Sequence, residues 1–236
     1  PYNIKKGALP MIFVMSDIHG CFAEYKRMLE MLPLAESDTL YILGDVLDRG
    51  KGGIGIINDI RSRKNIKLFR GNHEQLLLDM LKELTENPKE TRSARFDDWF
   101  YSGGEATLNE FEKLTEEEKS DFIDFLDSLP YFENITVNGE KYLLAHTVPE
   151  KRVLLSGKAR NSDFIYGEQD FHLCYYKTKT IVTGHTPVKL IDKNCLGVWK
   201  GNNHIAIDCA VAFGGSLACV CLDTNEEFYV SRPKKR

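Results

Sequence analysis

The stretch Met11-Ile12-Phe13-Val14-Met15-Ser16-Asp17-Ile18-His19-Gly20 decides how this chain folds. Its apolar start is too short for a leader's core or a membrane span and reads as a strand, with an aspartate and a histidine where the strand ends. The arrangement returns twice. An apolar run over 39–43 leads into Gly44-Asp45-Val46-Leu47-Asp48-Arg49-Gly50, and another over 66–69 leads into Gly71-Asn72-His73-Glu74. The spacing is roughly 27 residues, about one βαβ unit. Helical patterns fill the intervals at 22–32 (stopped by Pro33) and 54–60, and a third follows at 75–84. The alternation predicts a parallel sheet with crossover helices, its chemistry gathered at the carboxyl ends of the strands.

Downstream the pattern changes. Residues 85–129 read as helix only, broken at Asn87-Pro88, turned at Gly103-Gly104, and restarted by a capping box at Thr115-Glu116-Glu117-Glu118. This predicts a helical insertion over about 85–130, packed beside the sheet, with a place over the site mouth open to it. Strands follow at 131–137 and 141–145 around Asn138-Gly139, the strongest short hairpin signal. Further short strands are expected at 180–183, 205–208, 217–222 and 228–230, and 147–171 reads as an irregular loop. Residues 1–236 are read as one domain ending in a basic tail, Arg232-Pro233-Lys234-Lys235-Arg236, which is expected to be solvated.

The chain has 236 residues, 42% of them hydrophobic, enough for a substantial core. A formal charge of −4 argues against a general nucleic-acid footprint, and nothing suggests a membrane partner. Six dispersed cysteines without a zinc-type pair suit a reduced, cytoplasmic protein. The first residue is Pro1, so some preceding sequence is expected to have been trimmed.

Two more histidines, His146 and His185, also follow apolar runs. Carboxylate, amide oxygen and imidazole together suit a divalent ion of intermediate hardness. Asp17 and His19, two residues apart on an extended dipeptide, would share a face and clamp one ion. Asn72, His146 and His185 offer a neutral shell for a second, and Asp45 can bridge the two. The expected cofactors are two divalent metal ions, with Mn²⁺ leading and Fe or Zn²⁺ compatible. Such a pair lowers the pKa of a shared water for in-line attack on phosphorus. Arg49 can grip phosphate oxygens, with Asn72 beside it. His73 is suited to protonate the leaving oxygen, and Asp48 to orient His73. Taken singly, Asp45 and Asp48 could cap a helix, and Gly71-Asn72 could be a turn. Cys21 is not needed for ligation. His172 and His204 read as surface or core residues. Phe96, Trp99, Phe100 and Tyr101 read as helix packing, with a substrate platform as the alternative.

Asp17-x-His19, Gly44-Asp45-x-x-Asp48-Arg49-Gly50, Gly71-Asn72-His73-Glu74, His146 and Gly184-His185-Thr186 together resemble the calcineurin-like metallophosphoesterases. Asp48-Arg49-Gly50 makes the chain look like the phosphoprotein phosphatase branch, and within it the compact bacterial and phage (lambda-type) Ser/Thr protein phosphatases. Symmetrical diadenosine tetraphosphate hydrolases share the signature. The likeness runs from about residue 11 to 223 and includes 207–215. It implies an α/β fold, a four-layer α/β/β/α sandwich of two mixed sheets with the metals at one edge. It also implies Asp17, His19 and Asp45 on one metal, and Asp45, Asn72, His146 and His185 on the other. One departure stands out. The phage-type enzymes carry a phosphate-binding arginine in a Trp-x-Arg context where this chain has Glu168, and Arg152 or Arg160 are the available substitutes.

The leading expectation is a Ser/Thr protein phosphatase acting on a phosphoprotein. The alternative is symmetrical hydrolysis of a dinucleoside tetraphosphate, a phosphorylated small molecule. A catalytically silent binding module is disfavoured because no ligand of the signature is lost. Oligomeric state is not legible.

Overall fold

The computed structural model describes residues 10–86 and 93–231. The Asn87-Pro88 break, the first residue and the basic tail lie outside them.

Three strands of the opening alternation form as expected. β1 (Ile12–Met15), β2 (Thr39–Ile42) and β3 (Ile66–Leu68) pair in parallel, β1 with β2 and β2 with β3. They are joined by α1 (Phe22–Met31) and α2 (Gly53–Arg61). Side chains alternate across the sheet with period two. Phe13, Met15, Leu40 and Ile42 enter one core beneath the helices, while Val14, Tyr41 and Leu43 enter another on the opposite face. α3 (Asn72–Glu86) begins three residues earlier than the apolar periodicity predicts. Asn72, His73 and Glu74 therefore sit in its first turn rather than in a loop before it.

Helices α4 (Ala94–Trp99), α5 (Glu105–Phe111) and α6 (Glu116–Asp127) fill the helix-only region. The Thr115–Glu118 capping box is present as read. Phe96, Trp99, Leu108, Phe111, Phe122 and Leu126 join the core that α1–α3 form on the first sheet. These helices are thus built into the main core, because their apolar faces have no other sheet to cover.

β4 (Phe132–Val137) and β5 (Glu140–Ala145) form the hairpin, with Asn138 and Gly139 at φ 51° and 85°, the paired positive values of a two-residue turn. The irregular loop contains one short helix, α7 (Lys151–Leu155), and a 3₁₀ turn at Asn161–Phe164. β6 (Thr180–Thr183) and α8 (Val188–Ile191) follow. β7 (Trp199–Gly201) is unanticipated and pairs with β8 (His204–Ala206). Its signal lies in Asn202-Asn203, both left-handed (φ 52° and 56°), the residue type best able to make such a turn without glycine. β9 (Ser216–Cys221) returns antiparallel to β1, and β10 (Glu227–Ser231) pairs with β9.

The result is two mixed five-stranded sheets, ordered β10-β9-β1-β2-β3 and β4-β5-β6-β8-β7. Val14, Leu43, Phe69, Leu144, Val182 and Ile205 fill the space between them. The outer face of the second sheet is covered thinly, by Val148, Leu154, Phe164 and Tyr175. No helix among the described residues is long and apolar enough to cross a membrane, and no disulfide links the six cysteines.

Candidate active site

The strand-end clusters meet beyond the ends of β1, β2, β3, β5 and β6, and the backbone there is unusual. Asp17, His19, Asp45, Asp48, Arg49 and His185 all have positive φ, between 46° and 68°. The extended-dipeptide reading of Asp17 and His19 is therefore corrected: both are left-handed. β1 ends at Met15 and the chain must reverse into α1 within a few residues, so the strand geometry cannot continue. Each such residue costs of order 1–3 kcal/mol, a cost borne by surrounding contacts. The contacts are visible: Asp17, His19 and Gly20 amides donate to the Gly44, Asp45 and Val46 carbonyls at 3.1, 2.9 and 2.7 Å. Glycine is obligatory at the closest approaches. A Cβ on Gly20 would overlap the Gly50 carbonyl, and one on Gly71 would overlap the Asp45 carboxylate.

Glu74 locks the second and third clusters together. Fully buried, it accepts from the amides of Asp45 (2.9 Å), Val46 (2.8 Å), Leu47 (3.2 Å) and Gly71 (2.8 Å). Sequence reading quoted Glu74 without a role. A glutamate in the first turn of a helix that starts at Asn72 was the available signal.

The histidine tautomers follow from backbone contacts. His146 Nδ1 donates to the Leu43 carbonyl at 2.8 Å, and His19 Nδ1 to the Leu47 carbonyl at 2.9 Å. Each Nε2 therefore turns a lone pair inward. His146 Nε2 stands 2.9 Å from Asn72 Oδ1 and 3.1 Å from His185 Nδ1, which is itself 3.0 Å from Asn72 Oδ1. Asp45 Oδ1 is 3.5 Å from His146 Nε2. On the other side, His19 Nε2 lies 3.6 Å from Asp45 Oδ2 and 4.0 Å from Asp17 Oδ1. Neighbouring ligands at right angles on one ion, each about 2.1 Å from it, stand about 3 Å apart. The donor set therefore fits divalent metal, with Asp45 shared between two groups.

The charge balance agrees. Burial keeps His19 and His185 neutral, with pKa values lowered to about 3 and about 4. Burial, reinforced by the Asp208 and Asp45 charges, pushes Asp17 well above the usual carboxylate range. Crowded carboxylates beside neutral imidazoles call for cations.

His73 is close enough to Asp45 (3.9 Å) to be grouped with the ligands. Its contacts point elsewhere: Nδ1 is 2.6 Å from Asp48 Oδ2, and Nε2 faces Arg49 Nη2 at 3.2 Å. Burial opposes a charge on His73, yet the Asp45 and Asp48 carboxylates outweigh it and raise its pKa. Asp48 is clamped by the helix-only region. Trp99 Nε1 donates to Oδ2 at 2.9 Å, Thr107 Oγ1 donates to Oδ1 at 2.6 Å, and the Asp48 amide donates back to Thr107 Oγ1 at 2.8 Å. Trp99 and Phe96 are buried in the core, so the packing reading holds for them, with Trp99 also reaching the site; Tyr101 is exposed. Thr107 has no local sequence signal, since only the tertiary fold brings it to Asp48.

Arg49 is exposed, with Nη1 2.6 Å from His19 Nε2. Two clefts adjoin at Glu168 and Asp170, and the first begins beside His185. One, of about 510 Å³, is lined by His185, Thr186, Glu168, Asp170 and exposed His172; the other, of about 610 Å³, shares Glu168 and Asp170 and reaches Lys151 and Arg152. Arg160 instead pairs with Asp163 at 3.2 Å on the surface. His204 is a core residue, 2.8 Å from Thr183 Oγ1.

The calcineurin-like phosphoesterase family model matches residues 10–197. The symmetrical bis(5'-nucleosyl)-tetraphosphatase of Buchnera aphidicola subsp. Schizaphis graminum is 38% identical over 81 residues, 34% of this chain and 30% of that protein. Its counterpart in Wigglesworthia glossinidia brevipalpis is 33% identical over 84 residues, 34% of this chain and 31% of that protein. The chain thus matches about a third of the length of these relatives. Among solved structures, a candidate diadenosine tetraphosphatase aligns with a TM-score of 0.69 at 17% identity, covering 97% of this chain and 96% of that one. A Saccharomyces cerevisiae protein serine/threonine phosphatase aligns at 0.59 and 16%, covering 98% and 83%. At these identities the structural likeness speaks for the fold alone.

Proposed function

This chain belongs to the calcineurin-like phosphoesterase family, and from that premise we propose that it is a dinuclear-metal phosphohydrolase whose substrate is a symmetrical dinucleoside tetraphosphate. The reaction class is carried by the convergence of His146 Nε2, His185 Nδ1 and Asn72 Oδ1 beside Asp45, with Asp17 and His19 across it. Asp17, His19, Asp45, Asn72, His146 and His185 would hold two divalent ions, Mn²⁺ first among them, and the ions would supply an activated water for attack on phosphorus. Arg49 holds the phosphate oxygens with Asn72 alongside. His73 donates its Nε2 proton to the departing oxygen, and Asp48 fixes its ring through Nδ1.

The substrate reading departs from the leading sequence expectation. It is supported by the tetraphosphatase name of the relatives, and the adjoining cleft offers Lys151 and Arg152 as cations for the distal phosphates. A Ser/Thr protein phosphatase is the second reading. The acidic groove lining, Glu150, Glu168 and Asp170, favours it by suiting a phosphopeptide with basic flanks.

Competition kinetics of Mn²⁺-loaded protein on diadenosine tetraphosphate and a phosphoserine peptide decide between them. The expected result is a higher kcat/KM for the tetraphosphate, with two nucleoside diphosphates per cleavage. A preference for the peptide installs the second reading. If neither is turned over, both substrate readings fall.

A further inference from the structure

The segment between β8 and β9 is a rigid turn that holds one phenyl ring out of the core. Val211–Phe213 forms a single 3₁₀ turn between left-handed Ala210 (φ 58°) and Gly214 (φ 87°). A left-handed alanine persists only where neighbouring contacts impose it. Here the Ala210 amide donates to Asp208 Oδ1 at 2.8 Å, and its carbonyl accepts from the amides of Phe213 and Gly215, each at 3.0 Å. The Ser216 amide closes the turn on the Cys209 carbonyl at 3.1 Å. Val211 anchors the segment in the core, whereas Phe213 is 69% exposed.

Exposed phenylalanines are common and need no explanation alone. This one lies against the site: the Arg49 guanidinium carbon stands 4.7 Å from the centre of its ring. Arg49 enters from a left-handed backbone (φ 67°) tethered by its amide to the Gly103 carbonyl at 2.9 Å. Beyond that tether, the side chain is long and flexible. Among the described residues its side-chain partners are His19, His73 and the Phe213 ring, and none is a carboxylate. Both histidines belong to the candidate site, so the ring is the contact from outside it. A planar cation over a fixed ring face keeps its forked donors in one plane, which lowers the entropy lost when phosphate is gripped.

We propose that Phe213 is a positioning residue that holds the Arg49 guanidinium aimed at the substrate phosphate. The proposal rests on the reading of Arg49 as the phosphate-gripping group.

The test compares wild type, Phe213→Leu, Phe213→Tyr, Arg49→Ala and the Arg49→Ala/Phe213→Leu double variant, all loaded with Mn²⁺. Calorimetry gives the Kd for orthophosphate, and steady-state kinetics give kcat and KM for 4-nitrophenyl phosphate, which carries no nucleobase. Phe213→Leu is expected to raise Kd and KM about three- to fivefold, with kcat within about twofold. Phe213→Tyr should stay within about twofold of wild type on all three values. In the Arg49→Ala background, Phe213→Leu should add nothing. An equal loss on both backgrounds overturns the proposal, because the ring then acts without Arg49. A silent Phe213→Leu beside a weakened Arg49→Ala overturns it too while sparing the Arg49 reading. Unchanged phosphate affinity in Arg49→Ala removes that reading, and the proposal with it.

Discussion

The candidate metal cradle and the groove beside it are built on opposite plans. In the cradle, backbone and side chain constrain each other: left-handed residues, close-packed glycines and the four amides on Glu74 leave little room to move. The groove is lined by long side chains, Glu168, Lys151 and Arg152, over a thin layer of short helices and turns. Preorganised donors are worth most where charge develops during reaction, so rigidity belongs where the bond is cut. A substrate's distal parts need only be held, and a softer wall suffices.

If this contrast is right, substitutions in the cradle should be far more costly to turnover. Asp45→Asn is expected to have the largest effect, with turnover lost to the detection limit and bound metal reduced, as read by elemental analysis of the purified variant. Retention of full metal content and rate would break the contrast at its centre. His73→Asn comes next, lowering kcat by about 10²–10⁴ on an alkyl phosphate ester while leaving metal bound. Its cost should shrink on a tetraphosphate, whose departing phosphate oxygen is a weaker base than an alkoxide. Equal losses on both substrates would remove His73 as the proton donor.

A third prediction concerns the groove floor. Gln169, which lines the groove, donates to Thr183 Oγ1 at 3.2 Å, and Thr183 contacts His204. Burial lowers the His204 pKa from 6.5 to about 4. Between those values the unfolded chain takes up a proton that the folded chain refuses. Stability should therefore fall as pH drops from 6.5 towards 4, with His204 contributing up to about 3 kcal/mol of that loss. Urea unfolding across this range should show a shallower pH slope in His204→Leu, whatever the variant costs at pH 7. Parallel slopes would mean that His204 does not titrate in this way. The smallest effect separates two arginines. Arg152→Ala should raise KM for an extended substrate about two- to fivefold, and Arg160→Ala, already paired with Asp163, should leave it unchanged. The reverse pattern would redirect the groove.

That Asp17, His19, Asp45, Asn72, His146 and His185 gather at one place was legible because candidate ligand chemistry needs particular atoms, and strand-end context is written locally in apolar runs. The helix-capping box and the Asn138-Gly139 hairpin were legible for the same local reason. β7 was missed because a three-residue strand carries almost no periodicity. The extended reading of Asp17 and His19 failed because alternation describes a strand, and the strand had already ended at Met15.

By itself, then, the sequence determined the alternating β/α frame, the candidate metal ligands and the phosphoesterase class they point to, since each depends on residue identity and short-range spacing. The tertiary structure decided what depends on distant segments meeting. It set Thr107 and Trp99 on Asp48, spread Glu74 across two loops, laid Phe213 over Arg49, and placed Glu168 between two clefts. Such contacts arise from the packing of whole elements against a shared core, and no local pattern records which residues that packing will bring together.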